Sequence, residues 1–218
     1  MAQAELALIV GAGSGLSGSL ARLCAAQGMR VALAARNTDK LKGFSGASLH
    51  RCDATDPAQV ASLFESIETP DLVVYNPSYR ARGPLLSLDS QEVWRTLEVT
   101  AYGGFLVAQA AARRMLERGR GSLFFTGASA SVKGYAESAP FAMGKFALRG
   151  LAQSVARELG PKNIHVAHFI IDGGISREGD NDNRLHPDAI AQTYLDVYRQ
   201  HRSAWAFEVD LRPWVERF

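Results

Sequence analysis

The sequence predicts a doubly wound α/β fold, in which one sheet of about seven mostly parallel strands carries helices on both faces. Two observations support this fold class. Short apolar runs alternate along the chain with longer amphipathic stretches, as in repeated β-α-β units. The first apolar run also leads directly into a glycine-rich turn, and a helical pattern follows that turn.

The predicted strands are rich in Val, Ile, Leu and Phe and lack strict alternation with polar residues. This pattern is typical of parallel strands that are buried on both faces. The predicted strands are Leu6–Val10, Arg30–Ala34, Ala47–Arg51, Asp71–Tyr75, Ser122–Thr126, Ile164–Ile171 and Trp205–Val209.

The predicted helices lie between these strands and carry recognisable end signals. Pro57 and Pro187 fit the first helical position, and Gly28, Gly119 and Gly160 fit the position just after a helix. The predicted helices are Leu16–Gln27, Pro57–Ile67, Ser90–Arg118, Ser138–Leu159 and Pro187–Gln200.

Composition narrows the class of protein. The 218 residues are 47% hydrophobic and 21% charged, which fits a single globular domain over residues 1–218. The net charge of +2 is too small to favour nucleic acid as a partner. No apolar run approaches the ~20 residues that span a membrane, and no secretory signal is recognised. Cys24 and Cys52 indicate reduced thiols of a cytoplasmic protein, and no Cys/His cluster suggests a metal site.

The glycine-rich turn reads GAGSGLSG from Gly11 to Gly18. Gly13, Gly15 and Gly18 match the spacing G-x-G-x-x-G between a strand and a helix. Small residues there let a pyrophosphate approach the backbone and the free N–H groups at the helix start. The turn therefore predicts a dinucleotide site, and a turn that serves close packing alone is the less favoured alternative.

The end of the second strand discriminates between cofactors. An acidic residue there would bind the free ribose hydroxyls of NAD(H), whereas an arginine would pair with the 2′-phosphate of NADP(H). The sequence has Arg36 at this place and no acidic residue before Asp39. NADP(H) is therefore favoured over NAD(H), with a solvated surface arginine as the alternative interpretation.

Further stretches resemble the short-chain dehydrogenase/reductase family over essentially the whole chain. The segment from Val10 to Ser17 is similar to the family's TGxxxGxG turn, with substitutions at two of its positions. Tyr75 to Ser78 stands where the family has NNAG, and Asp172-Gly173 stands where it usually has Pro-Gly. The resemblance implies a Rossmann-type fold, a nicotinamide dinucleotide and a small-molecule substrate. Together with the turn and the second strand, it assigns the cofactor site to Gly11, Gly13, Ser14, Gly15, Leu16, Arg36, Asp53, Ala54, Asn76, Pro77, Ser78, Lys145, Asp172, Gly173 and Ile175.

The family's catalytic tetrad consists of Asn, Ser and a Tyr-x-x-x-Lys pair on one helix. The resemblance places Lys145 at the lysine position, but it places Phe141, Ala128 and Thr100 at the Tyr, Ser and Asn positions. A positioned general acid contributes about 10²–10⁴-fold to the rate, and a phenylalanine cannot act as one. The tetrad is therefore expected to be substituted at three of its four positions.

Other hydroxyl groups nearby are candidates to replace the tyrosine. Ser129 follows the expected serine position, and Tyr135 lies in the loop before the helix, so both join Lys145 as catalytic candidates. A loop aromatic packed on the helix is the favoured alternative for Tyr135. Arg80 and Arg82 follow the fourth strand and are interpreted as solvated charges, with attraction of an acidic substrate as the less favoured alternative.

Two functions fit the sequence. The first is an NADP(H)-dependent oxidoreductase for a small carbonyl compound or alcohol, with weak activity or a rearranged proton donor. The second is an impaired NADP(H)-binding protein that serves as a pseudoenzyme, sensor or assembly partner. The resemblance also implies a homodimer or homotetramer, formed through the helices Ser90–Arg118 and Ser138–Leu159. A short substrate loop is expected at about residues 176–186.

Overall fold

The structure is a computed structural model that describes residues 3–177 and 182–216. Its strands are β1 (Leu6–Val10), β2 (Arg30–Ala35), β3 (Ala47–Arg51), β4 (Leu72–Tyr75), β5 (Gly121–Thr126), β6 (Ile164–Ile171) and β7 (Glu208–Leu211). Its α-helices are α1 (Leu16–Ala26), α2 (Pro57–Ser66), α3 (Ser90–Leu97), α4 (Gly103–Arg118), α5 (Ala139–Leu159) and α6 (Pro187–Tyr198).

The seven strands form one parallel sheet in the order β3-β2-β1-β4-β5-β6-β7. The predicted fold class is confirmed. From β1 the chain proceeds outward through β2 and β3, then returns to place β4 on the other side of β1. This reversal leaves a crevice at the carboxyl ends of β1 and β4, where ligands bind in sheets of this kind.

Each face of the sheet has its own apolar core. Along β1, Leu6, Leu8 and Val10 pack with residues of α2, α4 and α5 on one face. Ala7 and Ile9 pack with residues of α1 and α6 on the other face. Because both faces are covered, the strands can be apolar at every position, which is the pattern that the sequence shows.

Two predicted elements differ from the structure by more than two residues at an end or in continuity. The last strand begins at Glu208 instead of Trp205, whose ring stacks on His165 at a centroid distance of 4.6 Å ahead of the strand. The predicted helix from Ser90 to Arg118 is divided into α3 and α4 by a π-helical turn over Glu98–Tyr102.

The ends of the helices follow the expected chemistry with one exception. Asp56 accepts hydrogen bonds from the N–H groups of Ala58 and Gln59 at the start of α2. Gly119 adopts the left-handed conformation after α4, as predicted. Gly160 does not, because the chain continues into a 3₁₀ turn and Asn163 takes the left-handed conformation instead.

In the described part of the chain, no helix is long and apolar enough to cross a membrane. Cys24 and Cys52 are both buried free thiols.

Candidate cofactor and substrate sites

A cavity of about 450 Å³ lies at the reversal point of the sheet, and we call it the switch-point cavity. It is bounded by the carboxyl ends of β1 to β4. The lining residues are Val10, Gly11, Ala12, Ala35, Arg36, Asn37, Lys40, Cys52, Asp53, Ala54, Thr55, Asn76, Pro77, Ser78 and Val99.

The glycine turn borders this cavity, and its geometry requires glycine. Gly11 has a φ of +77°, and a Cβ there would lie 2.7 Å from atoms of Pro77. A Cβ at Gly18 would lie 2.9 Å from the carbonyl oxygen of Gly13. By contrast, Gly13 and Gly15 face open space, with no atom within 4 Å of an added Cβ. The turn is thus closely packed on one side and accessible on the other.

The start of α1 is available to an anion. Gly15 precedes the helix, no side chain caps it, and its first turn carries no acidic residue. The first N–H groups of a helix lack partners within the helix, and the helix dipole attracts negative charge to them. An open glycine turn at an uncapped helix start therefore fits the pyrophosphate of a dinucleotide.

Arg36 and Lys40 give the switch-point cavity its positive charge. Both line it, and neither has a hydrogen-bond or ion-pair partner among the residues that the structure describes. Lys40 was not predicted from the sequence. The only sequence signal for Lys40 is its spacing of four residues from Arg36. Lys40 lies in the short 3₁₀ turn Asp39–Leu41.

Two predicted polar residues are fixed at the wall of this cavity. The Asp53 carboxylate accepts hydrogen bonds from the N–H and Oγ1 of Thr55, at 3.0 and 2.9 Å. The Asn76 amide donates to Ser17 Oγ at 2.8 Å, which ties the end of β4 to the glycine turn. These bonds hold the wall in place before any ligand binds.

A second cavity of about 440 Å³ opens at the carboxyl ends of β4, β5 and β6, and we call it the Phe141 cavity. Two of the three catalytic candidates, Ser129 and Tyr135, line it together with Phe141. The complete lining is Arg80, Arg82, Ala128, Ser129, Ala130, Tyr135, Ala136, Glu137, Ser138, Phe141, Ile171, Gly173, Gly174 and Glu216.

Two cations lie near the ring of Phe141. The guanidinium carbon of Arg80 is 4.1 Å from the centre of the Phe141 ring, and the Lys145 Nζ is 5.8 Å from it. The Lys145 ammonium is buried and donates to the carbonyl oxygen of Thr126 at 2.7 Å. Burial, together with the charge of Arg80, lowers the pKa of Lys145 to about 7.

Tyr135 lies beside a second lysine. The Lys133 Nζ is 5.8 Å from the centre of the Tyr135 ring and 3.6 Å from the carboxylate of Asp172. A hydrogen bond with Tyr135 is the main cause that raises the pKa of Lys133, so this lysine stays charged at neutral pH. The Tyr135 side chain is exposed.

The comparison with known families decides what kind of protein this is. The sequence model of the family described as short chain dehydrogenase matches residues 5–182. The chain belongs to the short-chain dehydrogenase family. This membership brings with it a Rossmann-type nucleotide-binding fold and the oxidoreductase class.

Individual relatives agree with this membership. The 3-oxoacyl-[acyl-carrier-protein] reductase MabA of Mycobacterium tuberculosis is 29% identical over 189 residues, which cover 84% of this chain and 75% of MabA. A short-chain dehydrogenase from Rhodopseudomonas palustris is 33% identical with a TM-score of 0.84, covering 96% of this chain and 99% of that one. A metagenomic short-chain oxidoreductase in complex with NADP is 25% identical with a TM-score of 0.84, covering 96% and 97%.

In this short-chain dehydrogenase the predicted cofactor residues fall into three groups. Those that line the switch-point cavity are Gly11, Arg36, Asp53, Ala54, Asn76, Pro77 and Ser78. Gly13, Ser14, Gly15 and Leu16 form the rest of the turn and the start of α1. Gly173 lines the Phe141 cavity, whereas Lys145, Asp172 and Ile175 line neither cavity.

Asp172 and Ile175, which line neither cavity, contact other residues of the chain. Asp172 is buried and forms ion pairs with Lys133 and Arg212. Ile175 forms a bridge with Leu185, at the two ends of the predicted substrate loop. Residues 178–181 of that loop lie outside the described residues.

Proposed function

We propose that the protein is an NADP(H)-dependent oxidoreductase that acts on a small carbonyl compound or the corresponding alcohol, with Tyr135 as its proton donor. The observation that carries the proposal is the position of an exposed phenol in a cavity at the same sheet edge as the dinucleotide turn. A bound nicotinamide cofactor would supply or accept the hydride in this reaction.

The choice of NADP(H) rests on charge. Arg36 and Lys40 line the switch-point cavity without a hydrogen-bond or ion-pair partner in the described ranges. The 2′-phosphate of NADP(H) would be a negatively charged partner for both. Gly13, Gly15 and the start of α1 would hold the pyrophosphate. The metagenomic relative that was solved with NADP supports the same choice.

Another residue must donate the proton, because Phe141 has no hydroxyl group. Reduction of a carbonyl group places negative charge on its oxygen, which must take up a proton. Tyr135 would give that proton and recover it from solvent, and the charged Lys133 would stabilise the phenolate in between. Lys145 would bind the ribose of the cofactor, as the family resemblance implies, and Ser129 would orient the substrate oxygen.

One observation favours a second function. Phe141 is proposed to occupy the place of the family's catalytic tyrosine, and its buried ring lies near Arg80 and Lys145 and carries no hydroxyl group. A protein with this arrangement could bind NADP(H) without turnover and act as a sensor or assembly partner.

Turnover measurements distinguish the two functions. NADPH oxidation would be followed with a panel of small ketones and aldehydes for the wild type, Tyr135→Phe and Phe141→Tyr. The first function predicts that Tyr135→Phe lowers kcat by about 10²-fold or more while NADPH binding is unchanged. Tyr102→Phe is a matched control, because Tyr102 is similarly exposed but lies outside both cavities.

Each outcome assigns one function. Fast wild-type turnover that survives Tyr135→Phe would remove Tyr135 from the reaction. An inactive wild type that gains activity through Phe141→Tyr would support a binding protein that lost its proton donor. Activity in none of the three would also favour the binding protein, provided that NADPH still binds.

We also propose that the protein acts in the cytoplasm as a homodimer or homotetramer, with reduced Cys24 and Cys52. The exposed aromatic residues Tyr102 and Phe105 at the start of α4 and Phe146 on α5 are suited to an interface between copies.

A further inference from the structure

Arg80 is held in a defined position at the wall of the Phe141 cavity. The N–H of Tyr79 donates to Thr100 Oγ1 at 3.3 Å, and the N–H of Ala81 donates to Thr96 Oγ1 at 3.4 Å. Both threonines are fully buried. The residues on each side of Arg80 are therefore anchored to α3 and to the π-helical turn, and the loop presents Arg80 in a fixed direction.

The Phe141 ring orients the guanidinium group. Arg80 lies over this ring at 4.1 Å, whereas the ring itself is 5% exposed and fixed in the core. A cation on an aromatic face gains about 0.5–1 kcal/mol at an exposed site. Apart from this ring contact, the N–H donors of Arg80 have no partner in the described ranges and are available to a ligand.

No ion pair forms at this wall in the described part of the chain. Within the described ranges, neither Arg80 nor Arg82 forms a hydrogen bond or an ion pair. Burial and the charge of Arg82 lower the pKa of Arg80. Glu137 and Glu216 line the same cavity, but neither is paired with an arginine there. Two guanidinium groups thus line this cavity without a direct ion pair to either of its two glutamates.

Other arginines of this chain show that pairing is common. Arg149 binds both carboxylate oxygens of Glu208 at 2.7 Å, and Arg30 binds Glu68 in the same two-bond manner. Arg80 has the same donor geometry without a carboxylate. Its place at a cavity wall, over the Phe141 ring and with these donors unpaired, suits a carboxylate from outside the chain.

We propose that the Phe141 cavity binds substrates that carry a carboxylate, with Arg80 as the residue that binds this group and Arg82 as a second positive charge at the rim. A carboxylate matches the two parallel N–H groups of a guanidinium, and its single charge is compatible with the two glutamates of the cavity lining. This substrate class rests on the proposed function, but the binding of the carboxylate does not require turnover.

Binding of matched pairs of ligands tests this inference. Acetate, butyrate, cyclohexanecarboxylate and benzoate would each be compared with the primary amide of the same acid, by calorimetric titration of the NADPH-saturated protein. The amide has nearly the same shape without the charge. We expect at least one carboxylate to bind roughly tenfold or more tightly than its amide, and Arg80→Gln to abolish the difference.

Two further variants control for charge and folding. Arg95 also stacks on an aromatic ring, 4.5 Å from the centre of Tyr79, but it lies outside the Phe141 cavity. Arg95→Gln removes the same net charge and should leave the preference intact. Arg80→Lys keeps the charge without the paired donors and should retain only part of it. An unchanged far-ultraviolet circular dichroism spectrum in each variant shows that the fold is preserved.

The possible results separate this inference from the proposed function. Equal binding of acids and amides, or a preference that survives Arg80→Gln, would overturn it. So would tighter binding of inorganic phosphate than of every carboxylate. If the protein prefers carboxylates but does not oxidise NADPH with any substrate of the panel, the result would support the binding site and contradict the proposed oxidoreductase.

Discussion

The phenol of Tyr75 donates a hydrogen bond of 2.5 Å to the carbonyl oxygen of Val99. Tyr75 ends β4, and Val99 lies in the π-helical turn between α3 and α4. In that turn the N–H of Gly103 bonds to the carbonyl of Glu98, five residues back, so that Val99 lacks its usual α-helical donor. The phenol takes the place of that donor and joins the turn to the strand beside the switch-point cavity.

Close approach of α4 to this phenol makes Gly103 intolerant of a side chain. A Cβ at Gly103 would lie 2.5 Å from the Tyr75 hydroxyl oxygen and 3.0 Å from the carbonyl oxygen of Ala54. We expect Gly103→Ala to destabilise the protein by about 1–3 kcal/mol, despite the better helix propensity of alanine. It should also weaken NADPH binding, because Val99 and Ala54 line the switch-point cavity.

Urea unfolding would measure this effect, with Gly150→Ala as the control. Gly150 is an exposed residue within α5, and no atom lies within 4 Å of an added Cβ. The same substitution should therefore stabilise the protein by about 0.5–1 kcal/mol there. Equal effects at the two positions would mean that the contact with Tyr75 does not restrict Gly103.

The preference for NADPH should depend on Arg36. We expect Arg36→Ala to weaken NADPH binding by roughly 10- to 100-fold, the value of charge-assisted hydrogen bonds, while NADH binding changes little. Lys40→Ala should have a smaller effect in the same direction, because its ammonium acts as a point charge. Fluorescence titration with both cofactors measures the two affinities.

A substitution elsewhere separates this contact from general charge. Arg113→Ala removes one exposed arginine of α4, outside both cavities, and should leave both affinities unchanged. If Arg36→Ala weakened NADH and NADPH equally, Arg36 would not bind the 2′-phosphate.

The parts of this structure that sequence could predict are those set by local pattern. Burial on both faces makes β1 and β6 continuous apolar runs, and the glycine spacing directly after β1 marks the turn into α1. Asp56 and Pro57 similarly mark the start of α2.

The remaining features depend on tertiary contacts. The π-helical turn is stabilised by Tyr75, which is 24 residues from its acceptor, and β7 begins only after Trp205, whose ring packs on His165. The sequence predicts that Arg80 is a solvated loop charge. Its position over Phe141 arises only where the loop after β4 packs against α5, which the sequence pattern does not show. No periodicity carries such information.

Burial of Lys145 should make the stability of the cofactor-free protein depend on pH. Its pKa is about 7 in the folded protein, against 10.5 when solvated, so the unfolded chain binds more protons between these values. Stability therefore rises with pH across this window, and the full penalty of burying the charge is present below it. From pH 7 to pH 9 this linkage amounts to about 2 kcal/mol.

Comparison with Lys145→Met isolates this contribution, because methionine fills similar volume without a charge. The free energy of unfolding would be measured at pH 7, 8 and 9. Between pH 7 and pH 9 it should increase by about 2 kcal/mol more in the wild type than in the variant. If the free energy of unfolding changed with pH in the same way in both proteins, burial would not lower the pKa of Lys145. Arg80→Gln provides a second test, since removal of the neighbouring charge should raise the pKa of Lys145 and move the rise in stability to higher pH. The direction of that shift follows from repulsion between the two cations near Phe141.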